Sequence, residues 1–406
     1  MNTTSLSPLL PGVVTSAGGH PTTLGVLGGG QLGRMFVHAA QAMGFRTVVL
    51  DPDAFSPAGQ IAHHHIETDY ADADGLAALA RLCDAVTTEF ENVPAKALEV
   101  LAQSLPVAPA AAAVAAAQDR CIEKAHMAAT AERSGVGPGP HAVLRANAAL
   151  PTLPESLFPA ILKTARLGYD GKGQLGVANA AELPQAWARL NQVDAVLEQR
   201  LPLRDECSVI LARARDGQVV HLPVQRNWHH QGILAVTEVG PEVLPAALCA
   251  QAIAAATEIA CSLDYVGVLC VEFFVVDDGS SHGRLVVNEM APRPHNSGHY
   301  SMDACDVSQF ELQVRAMANL PLVSPRLHSP AIMLNILGDV WFDKDQLRVP
   351  AWDEVLALPG VHLHLYGKIE ARMGRKMGHI NITAETLAQA RKIAAQVQAL
   401  LNLPRP

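Results

Sequence analysis

An apolar run, Thr23-Leu-Gly-Val-Leu27, leads into the glycine turn Gly28-Gly-Gly-Gln-Leu-Gly33, an amphipathic stretch to about Gly44 and a second apolar run, Thr47-Val-Val-Leu-Asp51. Few folds accept this order. Two strand-length runs separated by a helix-length segment cannot close as a hairpin, so the crossover makes them parallel, a βαβ unit. Asp51 then lies near the place of a ribose-binding carboxylate in a dinucleotide fold. Glycine turns also occur wherever a strand bends sharply into a helix, and an anion on the helix N-terminus suits either case. A further strand, Ala85–Thr88, runs into Glu89 and Glu91, at the strand end where open α/β sheets bind ligands.

A chain of 406 residues is too long for one core and implies two to four packed units. No apolar run approaches the ~20 residues of a membrane span. A net charge of -9 argues against a nucleic-acid partner, so any anionic ligand needs a local basic pocket. Seven cysteines without CxxC spacing favour a reducing cytoplasm. Residues 1–22 hold no Lys or Arg and therefore lack the basic start of a secretory signal; they read as a disordered extension. The triplet His63-His64-His65 reads as a surface loop.

The most informative local pattern is the pair of apolar runs Val266 to Val276 and Arg284 to Met290, separated by a turn-rich segment. A hairpin pairing residue 277 with 284 sets Glu272 opposite Glu289. Two carboxylates facing each other among apolar neighbours repel unless a cation lies between them, one is protonated, or one bonds an arginine. Magnesium suits such a pair when it also holds nucleotide phosphates. Asn288 is a third oxygen donor, although strict alternation aims it at the other face. Lys163 ends a buried strand, where a lone ammonium needs an anion. The loop that follows, Gly168-Tyr-Asp-Gly-Lys-Gly-Gln174, has the glycines and the lysine to approach phosphate, but no Walker A ending. Lys368, Arg372, Arg375 and Lys376 gather four cations in nine residues, suited to a ribose 5′-phosphate or to a solvated turn.

The order Lys124, Lys163, glycine-rich loop, Glu198, Glu206, Glu272, Asn288-Glu289 resembles the ATP-grasp superfamily. Within it, Gly30-Gln-Leu-Gly-Arg-Met35, the 168–174 loop, Asn288-Glu-Met-Ala-Pro-Arg-Pro-His-Asn-Ser-Gly-His299 and Gly374-Arg-Lys-Met-Gly-His379 resemble the 5-(carboxyamino)imidazole ribonucleotide synthase family. The resemblance runs from about Thr23 to the C-terminus. It implies a mixed α/β and α+β multidomain fold. A Rossmann-like pre-ATP-grasp domain over 23–117 precedes an ATP-grasp domain over 118–325, whose lid spans about 140–202, and a small β-rich C-terminal domain over 326–406.

The implied activity is that of an ADP-forming ligase of purine biosynthesis, which carboxylates 5-aminoimidazole ribonucleotide with ATP, Mg2+ and bicarbonate through carboxyphosphate. By family position Arg120, Lys163 and residues Gly168, Tyr169, Asp170, Gly171, Lys172, Gly173 and Gln174 meet the phosphates, and Lys124 belongs to the ATP-binding set. Glu198, Gln199, Arg200 and Leu201 run beside the adenine, Glu206 holds the ribose, and His229 and Asn288 stand near the nucleotide. Glu272 and Glu289 hold magnesium and, with Lys163 and Arg120, make up the catalytic set. Gln31, Leu32, Glu89, Arg293, Asn296, Ser297, Lys368, Arg372, Arg375 and Lys376 receive the ribonucleotide. The family also implies a homodimer. The nearest alternative is a formate-dependent glycinamide ribonucleotide transformylase, against which the run His295 to His299 speaks. A more distant one is a dinucleotide-dependent oxidoreductase.

Overall fold

The computed structural model describes residues 7–14, 19–166, 168, 173–344 and 346–406. Near the N-terminus a four-stranded parallel sheet runs in the order His64–Ile66, Arg46–Leu50, Thr23–Leu27, Ala85–Thr88. The expected βαβ unit is present, its helix spanning Gln31–Ala42. In this register Leu27 pairs with both Leu50 and Thr88, so Gly28, Asp51 and Glu89 emerge together at one sheet edge. Two expectations need correction. His64 and His65 belong to an edge strand, His64–Ile66, paired with Val48 and Val49, and only His63 lies in the bend before it, where its Nδ1 accepts from the Thr47 amide at 3.2 Å. Residues 7–14 and 19–22 are not a loose tail: the Leu9 amide donates to the Ala318 carbonyl at 2.8 Å, and Leu9 packs on the core beneath the first helix.

A second sheet, antiparallel, has the order His141–Leu144, Ala195–Gln199, Ala160–Thr164, Gln174–Val177. The helix Arg120–Ser134 leads toward it, capped by the Asp119 carboxylate on the Cys121 amide at 3.0 Å and ended by Gly135 at φ 73. A β-branched or bulky residue would be strained there.

Among the described residues the largest sheet has nine strands, one of which, Val219–His221, pairs with Leu203–Arg213 off the main path. From Arg284–Ala291 it passes through Gly267–Val276, Leu203–Arg213, Gln225–His230 and Ile233–Val239, then Ala331–Leu337, Lys376–Thr383 and Val361–Leu365. The β-rich C-terminal segment expected from the sequence therefore continues this sheet, with Val236 paired to Leu334. The helix Ala246–Ser262 covers one face with Ala252, Ala255, Ala256 and Ala260, all fully buried, whose small side chains let the backbone lie close to the strands. Among the described residues no helix is long and apolar enough to cross a membrane.

Candidate active site

The site begins with an irregularity. In the hairpin Val276 pairs with Arg284, not residue 277 as the turn suggested, and the register shifts between Glu272 and Phe273, so that Glu272 still faces Glu289. The shift leaves Asn288 as the extra residue of a β-bulge. A bulge breaks the alternation that would have sent Asn288 to the other face, and Asn288 lines the same cavity as both glutamates. Among the described residues its Oδ1 is buried without a hydrogen-bond partner.

This cavity measures about 440 Å³. Burial pushes the Glu272 carboxyl up, and the charge of Glu289 adds to the effect. The cavity desolvates Glu289 too, although its side chain is more open, and Arg120 and Lys163 hold its carboxyl low. Arg120 Nη1 lies 3.1 Å from Glu289 Oε2, and His295 Nε2 lies 3.1 Å from Glu272 Oε1. The arginine bond that the sequence left open is thus present. It still leaves two carboxylates and one orphaned amide oxygen around one guanidinium. An all-oxygen donor set with spare negative charge fits a hard divalent cation such as magnesium.

The cations around it are held by acidic partners. Lys163 Nζ donates to Glu198 Oε2 at 2.9 Å, and Lys124 Nζ lies 3.4 Å from Glu198 Oε1 while donating to the Asn288 carbonyl at 2.7 Å. Although burial opposes it, the two lysines bring the Glu198 carboxyl down to about 2. The anion that Lys163 demanded is therefore a residue of the neighbouring strand. Lys124, 2 % exposed, stands behind the cavity and pins the bulge.

Arg120 also donates to the Gly168 carbonyl at 3.0 Å. Gly168, Gln174, Glu206 and His229 line the cavity as well. His229 Nδ1 is 2.9 Å from Glu206 Oε2 and, burial notwithstanding, that contact lifts the imidazole to about 8. Gln199, Arg200 and Leu201 are not on the cavity wall; Gln199 Nε2 donates to the Ser156 carbonyl at 2.7 Å. Gly173 adopts φ 69, and Tyr169, Asp170, Gly171 and Lys172 lie outside the described residues.

A second cavity of about 380 Å³ shares Glu91, Arg293, His295, Asn296 and Lys376 with the first and adds Gln31, Leu32 and Glu89. Here the glycine turn is explained. Glu89 accepts from the Gly30 amide at 2.6 Å and the Gly33 amide at 2.7 Å, and a Cβ on Gly30 would collide with Glu89 Oε1. Asp51 accepts from the Gly29 amide at 2.6 Å and from the Tyr70 hydroxyl at 2.6 Å. Both carboxylates occupy the amides that a pyrophosphate would need, which removes the basis of the dinucleotide alternative.

Asn296 lines both cavities, its Nδ2 buried without a partner among the described residues. Arg293 Nε donates to Glu91 at 2.5 Å and, against burial, lowers that carboxyl to about 2. Ser297 is fully buried and lines neither cavity; its Oγ lies 2.9 Å from both Ser208 Oγ and His295 Nδ1. The basic cluster also divides. Lys376 is on the wall of both cavities, and Lys368, lowered to about 8 chiefly by burial, donates to the Lys376 carbonyl at 2.7 Å. Arg372 and Arg375 bond Glu370 at 2.7 and 2.9 Å on an exposed loop.

Sequence reasoning missed two neighbours. Glu123 accepts from the Met290 amide at 2.7 Å and is pushed by burial to about 7, and no local signal marks it. His295 stood inside a quoted motif, and only the fold shows that it meets Glu272.

Residues 21–118 match the ribonucleotide synthetase preATP-grasp domain family, 131–310 the ATP-grasp domain and 331–393 the phosphoribosylaminoimidazole carboxylase C-terminal domain. An N5-carboxyaminoimidazole ribonucleotide synthase of Brucella melitensis is 42 % identical over 88 % of this chain and 95 % of its own length. The chain belongs to the N5-carboxyaminoimidazole ribonucleotide synthase family. A synthase of the same name from Bacillus subtilis is 37 % identical over 88 % of this chain and 90 % of its own. The fold agrees with this family. A solved N5-carboxyaminoimidazole ribonucleotide synthetase in complex with ADP aligns at a TM-score of 0.83 with 35 % identity, covering 96 % of this chain and 97 % of that one. An Aspergillus clavatus synthase solved with ADP and 5-aminoimidazole ribonucleotide gives 0.82 with 29 % identity, covering 94 % and 98 %.

Proposed function

We propose that this protein uses ATP and bicarbonate to carboxylate the exocyclic amine of 5-aminoimidazole ribonucleotide in purine biosynthesis. The products are 5-(carboxyamino)imidazole ribonucleotide, ADP and phosphate. The observation that carries the reading is the convergence of Glu272, Glu289 and Asn288 oxygens with Arg120 and Lys163 in one cavity, which shares its wall with a second one beside Glu89. The first suits a magnesium triphosphate and the second a ribonucleotide. A formate-using transformylase has no support among the relatives named above.

Glu272, Glu289 and Asn288 would hold magnesium, which when bound neutralises charge on the phosphate oxygens. Arg120 and Lys163 meet the charge that develops as a bicarbonate oxygen attacks the γ-phosphorus and ADP leaves. Lys163 stands on the cavity wall, paired with Glu198, and would turn toward the phosphate to do so. Gly168 and Gln174, both on the cavity wall, stand on the side of the phosphates. Glu206 and His229 face the ribose, and residues 198–201, off the cavity wall as it stands, are assigned to the adenine only by their position in the family. Lys376 and Lys368 receive the 5′-phosphate of the ribonucleotide, with Arg375 and Arg372 reaching it from their loop. Gln31, Leu32, Glu89, Arg293 and Asn296 frame the imidazole, while Ser297 acts through His295. Carboxyphosphate gives its carbon to the amine, which loses a proton as phosphate leaves.

In this scheme the segments 23–117, 118–325 and 326–406 act as the three working domains. The enzyme works in the cytoplasm as a homodimer; light scattering at the mass of one chain would remove the dimer. Incubation with 13C-bicarbonate, ATP and the ribonucleotide should yield a carbamate carbon signal coupled to ADP formation. Label confined to bicarbonate, with ADP still accumulating, would contradict the carboxylation.

A further inference from the structure

Behind the carboxylate pair, the strand Gly267–Val276 carries a thiol for which the reaction has no use. Cys270 stands two residues before Glu272, on the same strand face, and is fully buried. Among the described residues one group of His, Cys, Asp and Glu side chains brings three ligand atoms within 4.8 Å of one another: Cys270, Glu272 and His295. His295 Nε2 is 3.1 Å from Glu272 Oε1. Zinc bonds of roughly 2.0–2.1 Å in a tetrahedron would set those two atoms about 3.3 Å apart. An outer layer is in place too, since Ser297 Oγ lies 2.9 Å from His295 Nδ1 and is itself bonded to Ser208.

We propose that Cys270, Glu272 and His295 form a site for a thiophilic divalent cation, Zn2+ or Co2+, whose binding takes Glu272 away from magnesium and blocks turnover. Sulfur, imidazole nitrogen and one carboxylate oxygen are the donors such ions prefer, and Glu272 and His295 open onto the cavity, which leaves a fourth position for water. Magnesium prefers the all-oxygen set of Glu272, Glu289 and Asn288. Both sites need Glu272, so filling one empties the other. On coordination the Cys270 thiol gives its proton to solvent as the sulfur–metal bond forms. The His295 proton shifts from Nε2 to Nδ1, where Ser297 Oγ accepts it at the expense of the 3.3 Å contact from the Ser297 amide. No oxidation state changes. The blocking of turnover rests on the reading of Glu272 as a magnesium ligand; the three-ligand site does not.

The test is a cobalt titration of the chelator-treated full chain. One equivalent of Co2+ should produce a near-ultraviolet thiolate-to-cobalt absorption that Zn2+ abolishes and that Cys270→Ala lacks, with Cys270→Ser as the second variant should the first fold poorly. In a parallel ADP assay, Zn2+ should inhibit the native enzyme less as magnesium rises. Cys270→Ala should keep its zinc-free activity and lose sensitivity about tenfold or more. An absent band, or an equal band in both variants, overturns the site while leaving the magnesium reading to the magnesium dependence of turnover. A band that appears with no effect of Zn2+ on turnover overturns the sharing of Glu272.

Discussion

Glu198→Gln removes one charge from the centre of the cationic side of the site while keeping the shape of the side chain. In the native chain Glu198 is 2.9 Å from Lys163 and 3.4 Å from Lys124, and its side chain is 13 % exposed. Its carboxyl is lowered from 4.5 to about 2 by the lysines, burial working against them. At 1.36 kcal/mol per unit this difference is worth about 3 kcal/mol of folding stability. Breaking one side of a buried pair costs ~3–5 kcal/mol in general, a consistent range. The folded-state value lies below the unfolded one, so the contribution is complete above about pH 4.5 and is lost as pH falls toward 2. Urea unfolding should therefore show a loss of about 3 kcal/mol at pH 7, shrinking in acid. Trp187 is a suitable fluorophore, buried in the core that also holds Leu197, the neighbour of Glu198. A loss below about 1 kcal/mol at pH 7, or one that does not shrink in acid, would show that the lysines do not depend on this carboxylate.

Glu289→Gln should leave the thermal midpoint nearly unchanged, because this side chain opens onto the cavity, and should lower magnesium-dependent ADP formation by roughly 10²-fold or more; near-native turnover would remove Glu289 from the metal set. Gly30→Ala should cost about 1–3 kcal/mol, since the new methyl displaces the carboxylate that holds the Gly30 and Gly33 amides. In steady-state kinetics it should raise KM for the ribonucleotide more than KM for ATP, and equal changes in both would disconnect the glycine turn from the second cavity.

The elements that could be read from the chain are those whose signal is local. The βαβ unit followed from two apolar runs and a glycine turn, and the strand running from Ala85 into Glu89 is present as well. The Glu272–Glu289 pairing was reached through a register that was off by one at the turn and corrected by the bulge at Asn288. A single inserted residue changes no composition or periodicity, so no pattern in the sequence announces it. Side-chain direction was equally hidden. Ser297 sits in a motif beside Asn296 yet turns inward to Ser208, and Arg372 and Arg375 share a basic cluster with Lys376 yet bond Glu370. Lys163 was read as waiting for an anion, but its partner Glu198 comes from a strand that only the sheet order brings alongside.

The central claim is that the oxygen set and the two cations convert ATP to ADP only in the service of bicarbonate and the aminoimidazole ribonucleotide. The most direct measurement is ADP release with bicarbonate or formate, each with and without that ribonucleotide. Fast release is expected only with bicarbonate and the ribonucleotide together, stopping when magnesium is chelated. Sustained release with formate in carbonate-free buffer would contradict the account.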